Sequence, residues 1–182
     1  QLRRVDMTHG GVTTVATGHP LSFNIAVSPD GATLYTSDWN SQVGPIYATS
    51  VATGMRTLVA NGCSGYRDCF GTTVSPDGNT LYATRRGPNP GAVRALNLQT
   101  AQWSDVIGDS ANLNVPHDHC LSPDGSTIYV TDGQASGRLT ASPASPVTGA
   151  SRRVVASGFN MLWGGCCTVS ADGAVVYVVD NH

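Results

Sequence analysis

Apolar residues in this chain seldom recur at helical spacing; they alternate with polar ones over short runs. Thr33-Leu34-Tyr35, Thr80-Leu81-Tyr82-Ala83-Thr84, Thr127-Ile128-Tyr129-Val130-Thr131 and Val175-Val176-Tyr177-Val178-Val179 show the pattern, rich in the β-branched and aromatic residues that fit a pleated, half-buried surface. Each run follows the same tight turn: Ser28-Pro29-Asp30-Gly31, Ser75-Pro76-Asp77-Gly78, Ser122-Pro123-Asp124-Gly125 and Ser170-Ala171-Asp172-Gly173. The turn serines lie 47, 47 and 48 residues apart. Pro presets φ at the first central position, Asp suits the second, and Gly accepts the left-handed φ that follows. Val- and Thr-rich residues lead in, so each copy predicts a β-hairpin. Asp30, Gly31, Asp77, Gly78, Asp124, Gly125, Asp172 and Gly173 are therefore expected to be scaffold, with no catalytic part.

A fixed period in the forties, with one turn and one β-rich run per period, is the signature of propeller blades. Each period reads as four strands: a before the turn, b after it, then c and d. The first complete blade predicts strands at 23–27, 33–37, 45–50 and 56–60. The second predicts 71–74, 80–84, 92–98 and 102–107, and the third 118–121, 127–131, 137–141 and 152–156. The chain opens with c (1–9) and d (12–16) and closes with a (166–169) and b (174–179). Residues 1–182 thus form one all-β propeller domain or propeller segment of four blades, the fourth split between the two ends. Half-blades expose unpaired strand edges that something must satisfy. The ends can share a blade in one four-bladed ring, two copies can pair into an eight-bladed ring, or each tail can complete the head of the next copy or of a longer chain.

Composition agrees with this architecture. Every basic residue is Arg and every acidic one Asp, so Lys and Glu, both helix formers, are absent. Their absence also removes lysine Schiff-base and phosphate-cradling chemistry and any glutamate acid, base or metal ligand. The 12 acidic and 10 basic residues nearly balance, which gives no reason to expect nucleic acid or an anionic membrane surface. No apolar run approaches the roughly 20 residues that span a bilayer. Gln1 rather than Met at the start is expected for a processed form or an excised segment. There is no Asn-x-Ser/Thr sequon. The Ser/Thr/Pro-rich stretch 140–151 reads as a c-to-d loop that invites O-linked glycan.

Joined across the ends, the chain reads Val175-Val176-Tyr177-Val178-Val179-Asp180-Asn181-His182, then Gln1-Leu2-Arg3-Arg4-Val5-Asp6-Met7 and Val12-Thr13-Thr14-Val15-Ala16-Thr17-Gly18. This composite resembles an NHL repeat, and the other periods resemble it more loosely. The resemblance implies a propeller of the NHL/SMP-30 (gluconolactonase-like) type. Two departures stand out. The Asp three residues after Tyr, present at Asp38, Asp132 and Asp180, is Arg85 in the second blade, and Asn-His occurs only at 181–182. Hydrolases of that family hold a channel calcium with Asp, Asn and Glu. Here Glu is absent and Gly71 and Cys166 stand at two of the four equivalent positions, so the calcium set is incomplete.

Strand a lines the axis of a propeller, which makes its polar residues the candidates for a channel or ligand site: Asn24, His117, Asp118 and His119. Alternation predicts His117 and His119 on one side of the strand and Asp118 on the other. Two His and a nearby thiolate are transition-metal ligands, so His117, Asp118 and His119 are the candidate metal residues. Five cysteines without metal-type spacing suggest an oxidising compartment. Cys63 and Cys69 flank a glycine-containing loop and predict a local disulfide. Cys120, Cys166 and Cys167 form one further bridge at most, with the pairing open. Asp38, Asp132 and Asp180 are expected to cap b-to-c loops. Trp39, Trp103 and Trp163 are expected in core or loop packing rather than as sugar-stacking shelves.

No nucleophile–base pair and no complete metal constellation is legible, so the expectation leans away from an enzyme. It is an extracellular or cell-surface structural and interaction propeller, assembling head-to-tail or in pairs through its half-blade ends. Expected partners are other copies, or a longer parent chain, and a protein or glycan ligand. No cofactor is expected. The alternatives are a metal-dependent lactonase or hydrolase of the SMP-30 type, with calcium or a transition metal in the channel, and a carbohydrate-binding propeller.

Overall fold

The computed structural model describes residues 1–18, 22, 24–38, 41, 43–63, 69–86, 91–108, 113–133, 137–145, 152–161 and 165–180. Trp39, Trp163, Asn181 and His182 lie outside the described residues, as do the middle of the 63–69 loop and the end of the 140–151 stretch. All described regular structure is β. The strands are β1 (Leu2–Val5), β2 (Val12–Ala16), β3 (Ile25–Val27), β4 (Thr33–Ser37), β5 (Ile46–Ser50), β6 (Arg56–Ala60), β7 (Cys69–Val74), β8 (Thr80–Arg85), β9 (Ala92–Asn97), β10 (Trp103–Ile107), β11 (Pro116–Leu121), β12 (Thr127–Asp132), β13 (Gly137–Pro143), β14 (Arg153–Phe159), β15 (Cys167–Val169) and β16 (Val176–Val178).

They form three four-stranded antiparallel meanders, β3 to β6, β7 to β10 and β11 to β14, flanked by the two-stranded sheets β1–β2 and β15–β16. Inner strands β3, β7, β11 and β15 pack side by side in that order, which is the arrangement of propeller blades about an axis. Among the described residues β1 and β16 belong to separate sheets, so the two half-blades do not join into one sheet within this chain. Strand c of the third blade is longer than the pattern predicts. Thr140 to Pro143 continue β13, and Thr140 and Ser142 are buried there, which leaves neither hydroxyl open to a glycan.

The four turns repeat one hydrogen-bond plan. In the second, the Ser75 hydroxyl donates to Asp77 Oδ1 at 2.5 Å, the same oxygen accepts the Asn79 N–H at 3.1 Å, and the Thr80 N–H donates to Ser75 Oγ at 3.0 Å. The same contacts recur at Ser28, Ser122 and Ser170. Consecutive turns also touch. A Cβ on Gly78, Gly125 or Gly173 would lie 3.5, 2.8 or 3.4 Å from Cδ of Pro29, Pro76 or Pro123 in the preceding blade. Gly78, Gly125 and Gly173, with φ of 72–75°, therefore each seat on the proline of the preceding turn.

Core clusters fill the seams between full blades. Ile46, Leu81, Ala83 and Leu96 join the first to the second, and Tyr82, Val93, Ile107, Leu113, Ile128 and Val130 join the second to the third. Each large aliphatic buried there contributes about 1.5–3 kcal/mol. Tyr82 adds a hydrogen bond across its seam, donating from Oη to the Ala144 carbonyl at 2.9 Å. Cys63 and Cys69 form the expected disulfide, with Cα atoms 6.0 Å apart.

Asp132 and Asp180 bond the segment that leads into strand a. Asp132, fully buried, accepts the N–H groups of Asn114 (2.8 Å) and Val115 (2.9 Å), and Asp180 accepts that of Asn160 (2.8 Å). These residues enter strand a of the same blade, so the two carboxylates cap the d-to-a segment. Asp132 is balanced by the Arg138 guanidinium at 2.8 Å. In the second blade, where Arg85 stands at this position opposite Cys69, the Cys63–Cys69 disulfide fastens the corresponding segment.

The turn contacts predict unequal costs for equal substitutions. Gly31→Ala meets open space and bears only the left-handed backbone penalty, about 1–2 kcal/mol. Gly125→Ala has the same φ and also drives a methyl into Pro76, so its loss in urea denaturation is expected to exceed that of Gly31→Ala by about 1 kcal/mol or more. Equal losses would show that the turns do not bear on one another.

Candidate functional site

Counting back four residues from each turn serine gives Asn24, Gly71, Asp118 and Cys166. These equivalent positions meet at the axis. Asn24 Nδ2 donates to Asp118 Oδ1 at 3.3 Å, from the first blade to the third. The backbone N–H groups of His119 and Cys167 and the thiol of Cys166, which brings in the last half-blade, also act on the Asp118 carboxylate and draw its pKa down. The second blade contributes space. A Cβ on Gly71 would fall on Asp118 Oδ1, so the carboxylate occupies the volume a side chain would have taken. Thr72 completes the layer, its hydroxyl donating to Asn24 Oδ1 at 3.5 Å. One carboxylate thus ties three blades together and rests on the fourth.

This layer forms the floor of a cleft of about 400 Å³ that runs along the inner strands to the turn prolines Pro76 and Pro123, past Thr72, Cys120, Ser122 and Thr168. Asp118 is only 7% exposed. Burial pushes its carboxyl up to about 6, against the opposing pull of its hydrogen bonds. The Cys166 thiol is also held above its usual range, first by burial and then by the charge and hydrogen bond of Asp118.

The two histidines flanking Asp118 do not join it in a ligand set. A register irregularity between Pro116 and Asp118 breaks the simple alternation expected of β11. His117 Nε2 lies 3.1 Å from the Gly133 carbonyl within its own blade, whereas His119 Nδ1 lies 2.7 Å from Thr84 Oγ1 of the preceding blade. Burial lowers the pKa of both, His119 to about 3, and the charge of Arg86 adds to the effect at His117. Among the described residues, no three His, Cys, Asp or Glu side chains group so as to hold a metal ion.

The remaining cysteines are resolved by geometry. Cys120 pairs with Cys167, their Cα atoms 5.8 Å apart, across the seam between β11 and β15, and Cys166 is the free thiol, exposed at the axis. The repeat register already set Asn24, Gly71, Asp118 and Cys166 at equivalent positions, whereas Thr84, the partner of His119, was not among the candidates. The shared offset from the turn serine was the signal for Cys166. Nothing local marked Thr84.

No family model matches this sequence, and no curated protein matches it. Among solved structures the chain is similar to TolB from Acinetobacter baumannii (TM-score 0.75, 18% identity, 98% of this chain and 42% of that one) and to a chain of the Nidogen/Laminin complex (TM-score 0.75, 20% identity, 98% and 63%). It is also similar to Kuenenia stuttgartiensis hydrazine synthase (TM-score 0.71, 20% identity, 97% and 48%). The chain therefore spans 42–63% of the length of these structures. At such identities the likeness shows the fold: a β-propeller.

Titration of the axial residues sets a sign-specific expectation. Asp118 has a folded pKa of about 6 against an ordinary 3.8, so its stabilising contribution is complete below 3.8 and lost as the pH rises through 6. His117 and His119, held below 6.5, act oppositely and lose stability as the pH falls below 6.5. Asp118→Asn removes only the first effect. Relative to wild type it is expected to gain about 2–3 kcal/mol between about pH 4 and pH 7, read from urea midpoints across that range. Parallel stability curves would contradict the buried, high-pKa carboxyl.

Proposed function

We propose that this chain is a protein-interaction propeller of the NHL/gluconolactonase-like kind that works outside the cell, and that its half-blades associate by strand addition with another copy of the chain. The observation that carries the reading is the pair of two-stranded end sheets. They are the c–d and a–b halves of one blade pattern and leave the free edges of β1 and β16 facing outward. Apolar side chains cluster on these halves and are solvent-exposed: Val5 and Val12 on one, Val175, Tyr177 (62%) and Val179 on the other. A strand pair with the polarity of β1–β2, laid against β16, extends the β15–β16 sheet to four strands and covers both sets.

Support for protein partners comes from a structural neighbour crystallised as a nidogen–laminin complex, and support for an oxidising setting from two disulfides in a chain of this size. No helix of the described residues is long and apolar enough to cross a membrane. Sedimentation velocity across the micromolar range tests the association. Wild type is expected to shift to larger species as concentration rises, and Tyr177→Asp on the exposed face of β16 to remain monomeric with an unchanged circular dichroism spectrum. A wild type that stays monomeric throughout would overturn the self-association.

A further inference from the structure

Three cysteines crowd the seam between the third blade and the last half-blade. Cys120 lies on the same face of β11 as Asp118, two residues on. Those two positions face consecutive residues of the neighbouring strand: the Cys166 thiol lies near enough to Asp118 for the carboxylate to hold its pKa up, and Cys120 is bonded to Cys167. The free thiol is therefore one strand step from an existing disulfide, outside the regular part of β15 and solvent-exposed. We infer that Cys166 is a thiol–disulfide exchange site, with Asp118 as the group that restrains it.

The reaction needs no outside oxidant or reductant. The Cys166 thiolate attacks Cys120 Sγ, the Cys120–Cys167 bond breaks with its electron pair on Cys167 Sγ, and a Cys120–Cys166 bond forms. Cys167 then takes up, through solvent, the proton that Cys166 released. One disulfide and one thiol are present before and after. Attack falls on Cys120 because a bridge between adjacent Cys166 and Cys167 would join Cα atoms about 3.8 Å apart, below the usual disulfide range.

The two states differ at the axis. With the bridge on Cys167, the Cys166 thiol donates to Asp118 and the layer of Asn24, Asp118 and Cys166 is closed. With the bridge on Cys166, Asp118 loses that donor and Cys167 gains a free thiol beside the Tyr129 carbonyl, where its sulfur already lies at 3.8 Å. Exchange thus connects the covalent fastening of the seam to the floor of the cleft. Burial, together with the charge and hydrogen bond of Asp118, keeps the Cys166 thiol protonated and slows the step.

Disulfide mapping of the folded protein tests this. The native chain is held at mildly alkaline pH without denaturant, pulsed with iodoacetamide, digested without reduction, and the label located by fragment-ion mass spectrometry. Wild type is expected to show label on Cys166 with a minor, time-dependent fraction on Cys167. That fraction is expected to rise several-fold in Asp118→Asn and to vanish in Cys166→Ser. Label confined to Cys166 in both wild type and Asp118→Asn would overturn the exchange. Label on Cys167 that persists in Cys166→Ser would overturn the role of Cys166. Should Asp118→Asn lose its native spectrum, the time course in wild type decides alone.

Discussion

The seating of Gly78, Gly125 and Gly173 on the proline of the preceding turn is the contact on which the architecture depends. It is made where the inner strands reverse, close to the axis, so a small change in spacing there is magnified at the outer strands. The Ser–Asp hydrogen bonds inside each turn fix the shape of the surface presented to the next blade, and the lack of a Cβ sets the distance. Once inner strands lie at that separation, the faces of neighbouring sheets are close enough for Leu81, Leu96, Val93 and Val130 to be excluded from water. Hydrophobic burial supplies most of the free energy, and the turns dictate where it is gained.

The axis is polar because one residue position per blade converges there, and the four occupants differ in kind. An amide, a hydrogen, a carboxyl and a thiol produce a lopsided layer in which the small member admits the charged one. Asp118 is desolvated yet well supplied with donors, and these opposing effects leave its carboxyl near 6 rather than in the ordinary range. His119, the next residue along β11 and bonded to Thr84, is forced neutral by burial of its own ring.

Fastening of the d-to-a segments shows one structural need met by two chemistries. Asp132 and Asp180 use carboxylate-to-amide hydrogen bonds, while the second blade, with Arg85 in place of Asp, uses a covalent bridge at Cys69. Both hold the entry to strand a, which is where the axial residues are positioned. The seam after the third blade is fastened differently again, by Cys120–Cys167, and this is the seam where the free thiol sits.

Four copies of one turn, 47 or 48 residues apart, were enough to define strand order and most strand limits, because turn chemistry and alternation are local properties of the backbone. The same register placed Asn24, Gly71, Asp118 and Cys166 at one level before any coordinates were known. Three features were not legible: the separate partners of His117 and His119, the choice of Cys167 over Cys166 by Cys120, and the separation of the two half-blades. Each depends on which side chains from distant parts of the chain arrive at the same place. A bulge at the start of β11 or a one-residue difference between adjacent cysteines changes that answer without altering the repeat pattern. Periodicity specifies the blades; the distances between them are a property of the assembled sheets.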